Sequence, residues 1–154
     1  MEFEARLADR DRWRADQCSA AKVLDLLGTK TVFLVVRECF YGTTRFEDFV
    51  DRVGVSAPAI SRALRQLESA AVVARTPYRE AGARTRDEYH LTDAGEDLLP
   101  VLLSLVQWGD AHLQDGRPPV RFVDRDTGGA IRVSVQAESG RDVASDDISI
   151  RATR

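Results

Sequence analysis

The sequence predicts a mainly α-helical fold with one small β-hairpin and a short β-rich appendage at its C-terminal end. Three observations carry that reading. Apolar residues recur at spacings of three and four from Val23 to Trp108, with glycines at 28, 42 and 54 as stops. Two β-branched and aromatic runs, VVARTPYRE and RDEYHLT, flank the turn-like AGART. Beyond Arg117, the short runs PPVRFVDRD, AIRVSVQA and DISIRA suggest two or three strands around Gly128, Gly129 and Gly140. A length of 154 residues, 44% of them hydrophobic and 31% charged, suits one soluble domain with a small appendage. The expected boundaries are an arm over 1–17, a main domain over 18–116 and a tail over 117–154.

The elements follow in order. SAAKVLDLLG places Val23, Leu24, Leu26 and Leu27 in one stripe, with Gly28 as the expected C-cap. Residues 31–41, TVFLVVRECFY, are apolar on most sides and predict a central, buried helix. Phe46, Phe49, Val50 and Val53 mark a short amphipathic helix, and Gly54 turns the chain into VSAPAISRALRQLE. There Ser56 is the expected N-cap and Pro58 sits in the first turn, where its missing N–H does no harm. Ile60, Leu64 and Leu67 fall on one side of this helix, whereas Pro58, Ser61, Arg62 and Arg65 fall on the other. The outward face is therefore small at its start and cationic beyond, a shape that a DNA major groove accepts.

The hairpin carries Arg79, Arg84 and Arg86 at its tip. Thr92 should then cap one long helix, with Asp93 and Glu96 favourable in its first turn. LLPVLLSLVQW is apolar on more sides than one core needs, which predicts a second buried face against another subunit. Helix, helix, helix-turn-helix, hairpin, long helix is the order of a winged helix-turn-helix domain.

Charge and composition bound the function. The net charge is −3, yet Gly54–Thr92 holds six arginines against four acids, and DNA binding depends on such local patches. No apolar run approaches the roughly 20 residues of a membrane span. The charged start, MEFEARLADRDRWRAD, lacks the plan of a signal peptide, so the expected place is the cytoplasm. His90 and His112 are the two histidines, and no phosphate-binding loop, metal cluster or nucleophile elbow accompanies them. Neither an enzyme nor a cofactor or metal is expected.

In their order and spacing, Cys18 ahead of LDLLG, then KTVFLVVRE, RFEDF, VSAPAISRALRQLE, YHLTDAGEDLLPVL and QWG resemble the HxlR-type transcriptional regulators, relatives of the MarR and PadR regulators. The resemblance runs from Cys18 to about Gly109. It implies a cytoplasmic homodimer that binds double-stranded operator DNA, often as a repressor, through Ser56–Leu67 as recognition helix and Thr76–Tyr89 as wing. The dimer would be built from the first and last helices. Thr31 stands where the family usually has tryptophan, with Val32 and Phe33 as the neighbours available to fill the space. DTGG and AESG stand where some members carry cysteine pairs, so a zinc ribbon is not expected.

The candidate DNA-contacting residues are Thr44, Arg45, Ser56, Ala57, Pro58, Ser61, Arg62, Arg65, Arg79, Arg84 and Arg86. Arg62 or Arg65 would fork onto guanine; the Thr43–Thr44–Arg45 helix start, Ser56, Ser61 and the wing arginines would hold phosphates. Thr31, Phe33, Leu102, Leu105, Val106 and Trp108 are candidates for either a small-molecule effector pocket or a dimer interface. Cys18 is read either as a small buried hydrophobe or as a redox sensor, and Cys39 as core. The alternative function is a protein-interaction module on the same scaffold. Such a module should expose apolar anchors on the 56–65 face, where the sequence has none.

Overall fold

The computed structural model describes residues 1–9, 17–79, 82 and 84–152. Its elements are β1 (Glu2–Phe3), α1 (Ser19–Leu27), α2 (Lys30–Phe40), α3 (Phe46–Val53), α4 (Ala57–Ser69), β2 (Val73–Tyr78), β3 (Arg86–Leu91), α5 (Asp93–Glu96), α6 (Leu99–Leu113) and β4 (Ser149–Ile150). They divide into two compact units, Cys18–Leu102 and Met1–Gln17 with Leu103–Arg154. Among the described residues no helix is long and apolar enough to cross a membrane.

In the first unit α2 is the central post. It touches α1, α3, α4 and β3. Val32, Val35 and Val36 are sealed from solvent, as are Phe49 of α3 and Ile60, Leu64 and Leu67 of α4. The ring of Phe49 meets Tyr89 of β3 edge to face, with centroids 6.4 Å apart. Thr29 caps α2 by accepting from the Val32 N–H at 3.3 Å. Gly54 ends α3 in the left-handed region (φ 71°), a conformation costly for a residue with a Cβ, and three residues later α4 begins.

β2 and β3 pair antiparallel from Val73↔Leu91 to Tyr78↔Arg86. Pro77 is tolerated because β2 is the outer strand: on its other side β3 bridges Arg45 through Glu88, and the Tyr89 N–H donates to the Thr44 carbonyl at 2.8 Å. Part of the hairpin tip, residues 80, 81 and 83, lies outside the described residues.

Gly28 and Ser56 occupy the expected cap positions of α1 and α4, each with a difference in detail, and other local expectations are corrected. Gly28 does follow α1, but in right-handed conformation (φ −69°). What it avoids is a clash, since a Cβ there would run into the Leu24 carbonyl oxygen. Ser56 occupies the N-cap position of α4 without a side-chain cap bond. The single long helix after Thr92 is two helices, α5 and α6, broken at Asp97 and Leu98. Pro100 explains the break: it has no N–H for the Glu96 carbonyl, and its ring would collide with that group. The strands expected in the tail shrink to β4 and two isolated bridges, Val123↔Ala130 and Gln136↔Asp142. Tight turns account for this. Gly128 and Gly140 take positive φ, and Asp124 accepts from both the N–H and the hydroxyl of Thr127 at 2.7 Å. Those bonds hold the Asp124 carboxyl below its ordinary range. β4 pairs in parallel with β1, joining the two ends of the second unit.

The two thiols have different surroundings. Cys18 is exposed at the N-cap of α1, against the reading of it as a buried hydrophobe. Cys39 is half-buried against the core, where burial first and the Glu38 charge second push its thiol up to about 12. Unfolded, it would ionise near its ordinary 9.0, so this thiol contributes stability that is lost as pH rises from 9 toward 12. Iodoacetamide at pH 8 should label Cys18 in the native chain and leave Cys39 unlabelled until denaturant is added; peptide mass mapping reads both sites.

A close approach fixes the start of the helical return. The Thr92 hydroxyl donates to the Ala71 carbonyl at 2.5 Å and accepts from the Gly95 N–H at 3.1 Å. Gly95 is buried, and a Cβ there would meet the Val72 carbonyl oxygen and the Leu91 side chain. Gly95→Ala should therefore cost about 1–3 kcal/mol despite alanine's better helix propensity. A urea midpoint equal to or above that of the wild type would contradict this.

Candidate nucleic-acid interface

The candidate interface begins with what α4 leaves outside. Ile60, Ala63, Leu64 and Leu67 are buried on its inner side. Ser56, Ala57, Pro58, Arg62 and Arg65 are exposed, and Ser61 is half-buried beside them. Arg65 curls along its own helix, with Nε donating to the Ser61 carbonyl at 3.2 Å. Arg62 makes no hydrogen bond or ion pair among the described residues, so its five donors face solvent.

The hairpin places Arg79, Arg84 and Arg86 on its exposed distal part. Arg86 is shared with α3, its Nη1 lying 3.2 Å from Glu47 Oε1; both side chains are well exposed, and such a pair exchanges readily for another anion. Arg84 has no such partner among the described residues.

The helix start that the sequence assigned to phosphates divides three ways. Thr43 is buried at 2% exposure and is not available to a large ligand. Thr44 is half-buried, its carbonyl already holding Tyr89. Arg45 lies 4.7 Å over the Tyr78 ring, with Nε 3.4 Å from Glu88 Oε1. Its guanidinium ties the hairpin to the start of α3 while remaining partly exposed.

The Thr43 cluster is what sequence reasoning missed. Glu38 is a buried carboxylate: Oε1 accepts from Arg37 Nη2 at 2.7 Å, and Oε2 accepts from Thr43 Oγ1 at 3.1 Å. Arg52 Nη1 donates to Thr43 Oγ1 at 2.6 Å. The network joins the end of α2 to the last turn of α3, fixing the angle from which α4 departs. The signal available was an acid in the otherwise apolar TVFLVVRECFY, which needs a partner if buried.

The remaining candidates fall in both units. Thr31 and Phe33 are half-buried on α2, with Val32 sealed between them, and Leu102 is buried. Leu105 and Trp108 are exposed on α6, where Trp108 lies 5.0 Å from the His112 ring. Val106 lines a groove between α6 and the tail.

Comparison with known proteins agrees with this geometry. Residues 26–117 match the HxlR-like helix-turn-helix family. The chain is 36% identical over 105 residues to an uncharacterized HTH-type transcriptional regulator of Mycobacterium tuberculosis, Rv3095; the match covers 68% of this chain and 65% of that one. Its fold is similar to the crystal structure of PA1607, a candidate transcription factor, with a TM-score of 0.78 and 32% identity over 87% of this chain and 94% of that one. It is also similar to the redox regulator HypR in its oxidized form, at a TM-score of 0.55 and 27% identity over 62% and 97% of the two chains. The matched family segment contains the whole of α2 to α6, including the buried post, the α4 face and the hairpin. On these grounds the chain belongs to the HxlR-like helix-turn-helix family.

Proposed function

We propose that this protein is a DNA-binding transcriptional regulator that acts in the cytoplasm as a dimeric repressor. The observation that carries the reading is the outward face of α4, where a small N-terminal surface leads to Arg62, a guanidinium without a partner among the described residues. In this reading α4 enters the major groove, Ser56, Ala57 and Pro58 allow close approach, and Arg62 or Arg65 forks onto guanine O6 and N7. Ser61 and the hairpin arginines Arg79, Arg84 and Arg86 hold flanking phosphates, with Arg86 exchanging Glu47 for the DNA backbone. Thr44 and Arg45 support the hairpin and reach the backbone only at its margin.

The dimer is supported by apolar side chains left in solvent. Leu24 on α1 and Leu105 and Trp108 on α6 are each more than half exposed. Burial of these side chains against a second copy would remove that apolar surface from water. Two copies related by a two-fold axis would reach half-sites roughly 34 Å apart on an imperfect palindrome.

A thiol-reactive signal would meet Cys18, the exposed thiol, and a change at α1 would alter the spacing of the two recognition helices. Treatment with diamide should lower the DNA affinity of the wild-type chain and leave Cys18→Ser unaffected. Equal behaviour of the two chains would remove Cys18 from regulation.

Arginine replacement tests the interface itself. Arg62→Ala should weaken binding to the operator by about 1–3 kcal/mol and relax base preference at one position. Arg86→Ala should weaken binding to all duplexes alike and reduce the salt dependence by about one phosphate contact. Sedimentation of the same samples should give twice the 17.1 kDa chain mass. Equal, sequence-indifferent losses in the two variants would contradict the assignment of roles, and a monomer would contradict the dimer.

A further inference from the structure

The tail lies along the C-terminal half of α6, and the Gln107 side chain holds it there. Its Oε1 accepts from the Val133 N–H at 3.2 Å, and its Nε2 donates to the Ile131 carbonyl at 3.3 Å. These are the two backbone groups that a neighbouring strand would use, so one amide stands in for a strand. Between helix and tail runs an open groove of about 720 Å³ with Val106, Phe122, Val123 and Ile131 on its walls. That volume is within the range of small-molecule sites. Val123 and Ile131 remain 50% and 40% exposed, so the groove is apolar surface that the chain itself does not cover.

Two guanidiniums stand on the same walls, Arg121 and Arg132, with a single carboxylate, Asp110. Neither arginine has an ion pair or hydrogen bond among the described residues. The Val123↔Ala130 bridge, the Ile131 N–H on the Phe122 carbonyl at 3.0 Å and the Asp124 N–H on the Gly129 carbonyl at 2.7 Å set an antiparallel register. Arg121 and Arg132 flank these ties, one on each run, and both line the groove. Two guanidiniums on one groove repel each other, and an anion bound between them reverses the sign of the interaction.

We propose that this groove binds a small amphipathic carboxylate, with its carboxylate between Arg121 and Arg132 and its apolar body against Val106, Phe122 and Ile131. Asp110 favours a singly charged head over a doubly charged phosphate. The planar forks of the arginines suit a carboxylate better than a neutral alcohol. The binding is independent of whether the chain recognises DNA.

Isothermal titration of the full-length chain with octanoate, octan-1-ol and octylammonium, below their aggregation concentrations, tests the site. Octanoate should bind one per chain, octan-1-ol about tenfold more weakly or worse, and octylammonium not at all. Arg121→Ala/Arg132→Ala should reduce octanoate affinity to that of octan-1-ol with an unchanged circular dichroism spectrum, since both side chains are exposed. Arg121→Lys/Arg132→Lys should restore part of the loss. No binding of octanoate, equal binding of the alcohol, or octanoate affinity indifferent to the double alanine variant would each overturn the proposal. Retained octanoate binding with weakened affinity for a scrambled duplex would instead make the two arginines phosphate contacts.

Discussion

The burial of α2 is the constraint on which the rest of the main unit depends. Its valines at 32, 35 and 36 exclude water, so every element packed on them must present an apolar side inward. α3 answers with Phe49 and α4 with Ile60, Leu64 and Leu67. Once those side chains are inside, helical geometry leaves the α4 residues half a turn away outside, and these are the small residues and arginines of the candidate interface. The interface is thus a consequence of core packing. The buried Glu38 adds direction to this packing. Its carboxylate is satisfied only when Arg37 and Thr43 are both in place, and Arg52 of α3 closes on the same threonine. An uncompensated buried carboxylate is costly, so the network penalises other α2–α3 angles.

Electrostatics narrows the cationic surface further. A net charge of −3 gives no general attraction to nucleic acid. Local pairing then removes several arginines from the count. Arg75 is divided between Glu68 and Asp87, Arg45 is held by Glu88, and Arg86 by Glu47. Arg62 on α4 and Arg84 on the hairpin keep their charge without a counterion from the described chain. What remains is a small set of uncompensated guanidiniums on α4 and the hairpin, in a chain of net charge −3. Such focusing favours a defined register on DNA over general adhesion.

The parts of this fold legible in the sequence are those governed by local periodicity. Phe46, Phe49, Val50 and Val53 announce α3 because a helix repeats every 3.6 residues, and Gly54 ends it because few other residues take its φ. The α4 face could be read for the same reason. Contacts between distant residues were not legible. Nothing in TVFLVVRECFY says that Glu38 meets Thr43, that Arg52 closes on the same threonine, or that Arg45 will stack on Tyr78 across the chain. Pro100 was visible, but an apolar pattern continuing on both sides of it concealed the break between α5 and α6. In the tail, β-branched runs suggested longer strands. Turns closed by Asp124, Gly128 and Gly140 leave room for only brief pairing. The clamp by Gln107 has no sequence signature, because it joins a side chain to backbone groups 24 and 26 residues away.

The central claim is that the α4 face reads DNA sequence. Fluorescence anisotropy of the full-length protein tests it most directly, using a duplex from upstream of its own gene and a scrambled duplex at two salt concentrations. The account predicts a preference of about a thousandfold for the native duplex, with both affinities falling as salt rises. Equal, weak affinity for this and every other duplex drawn from the surrounding genome would contradict it.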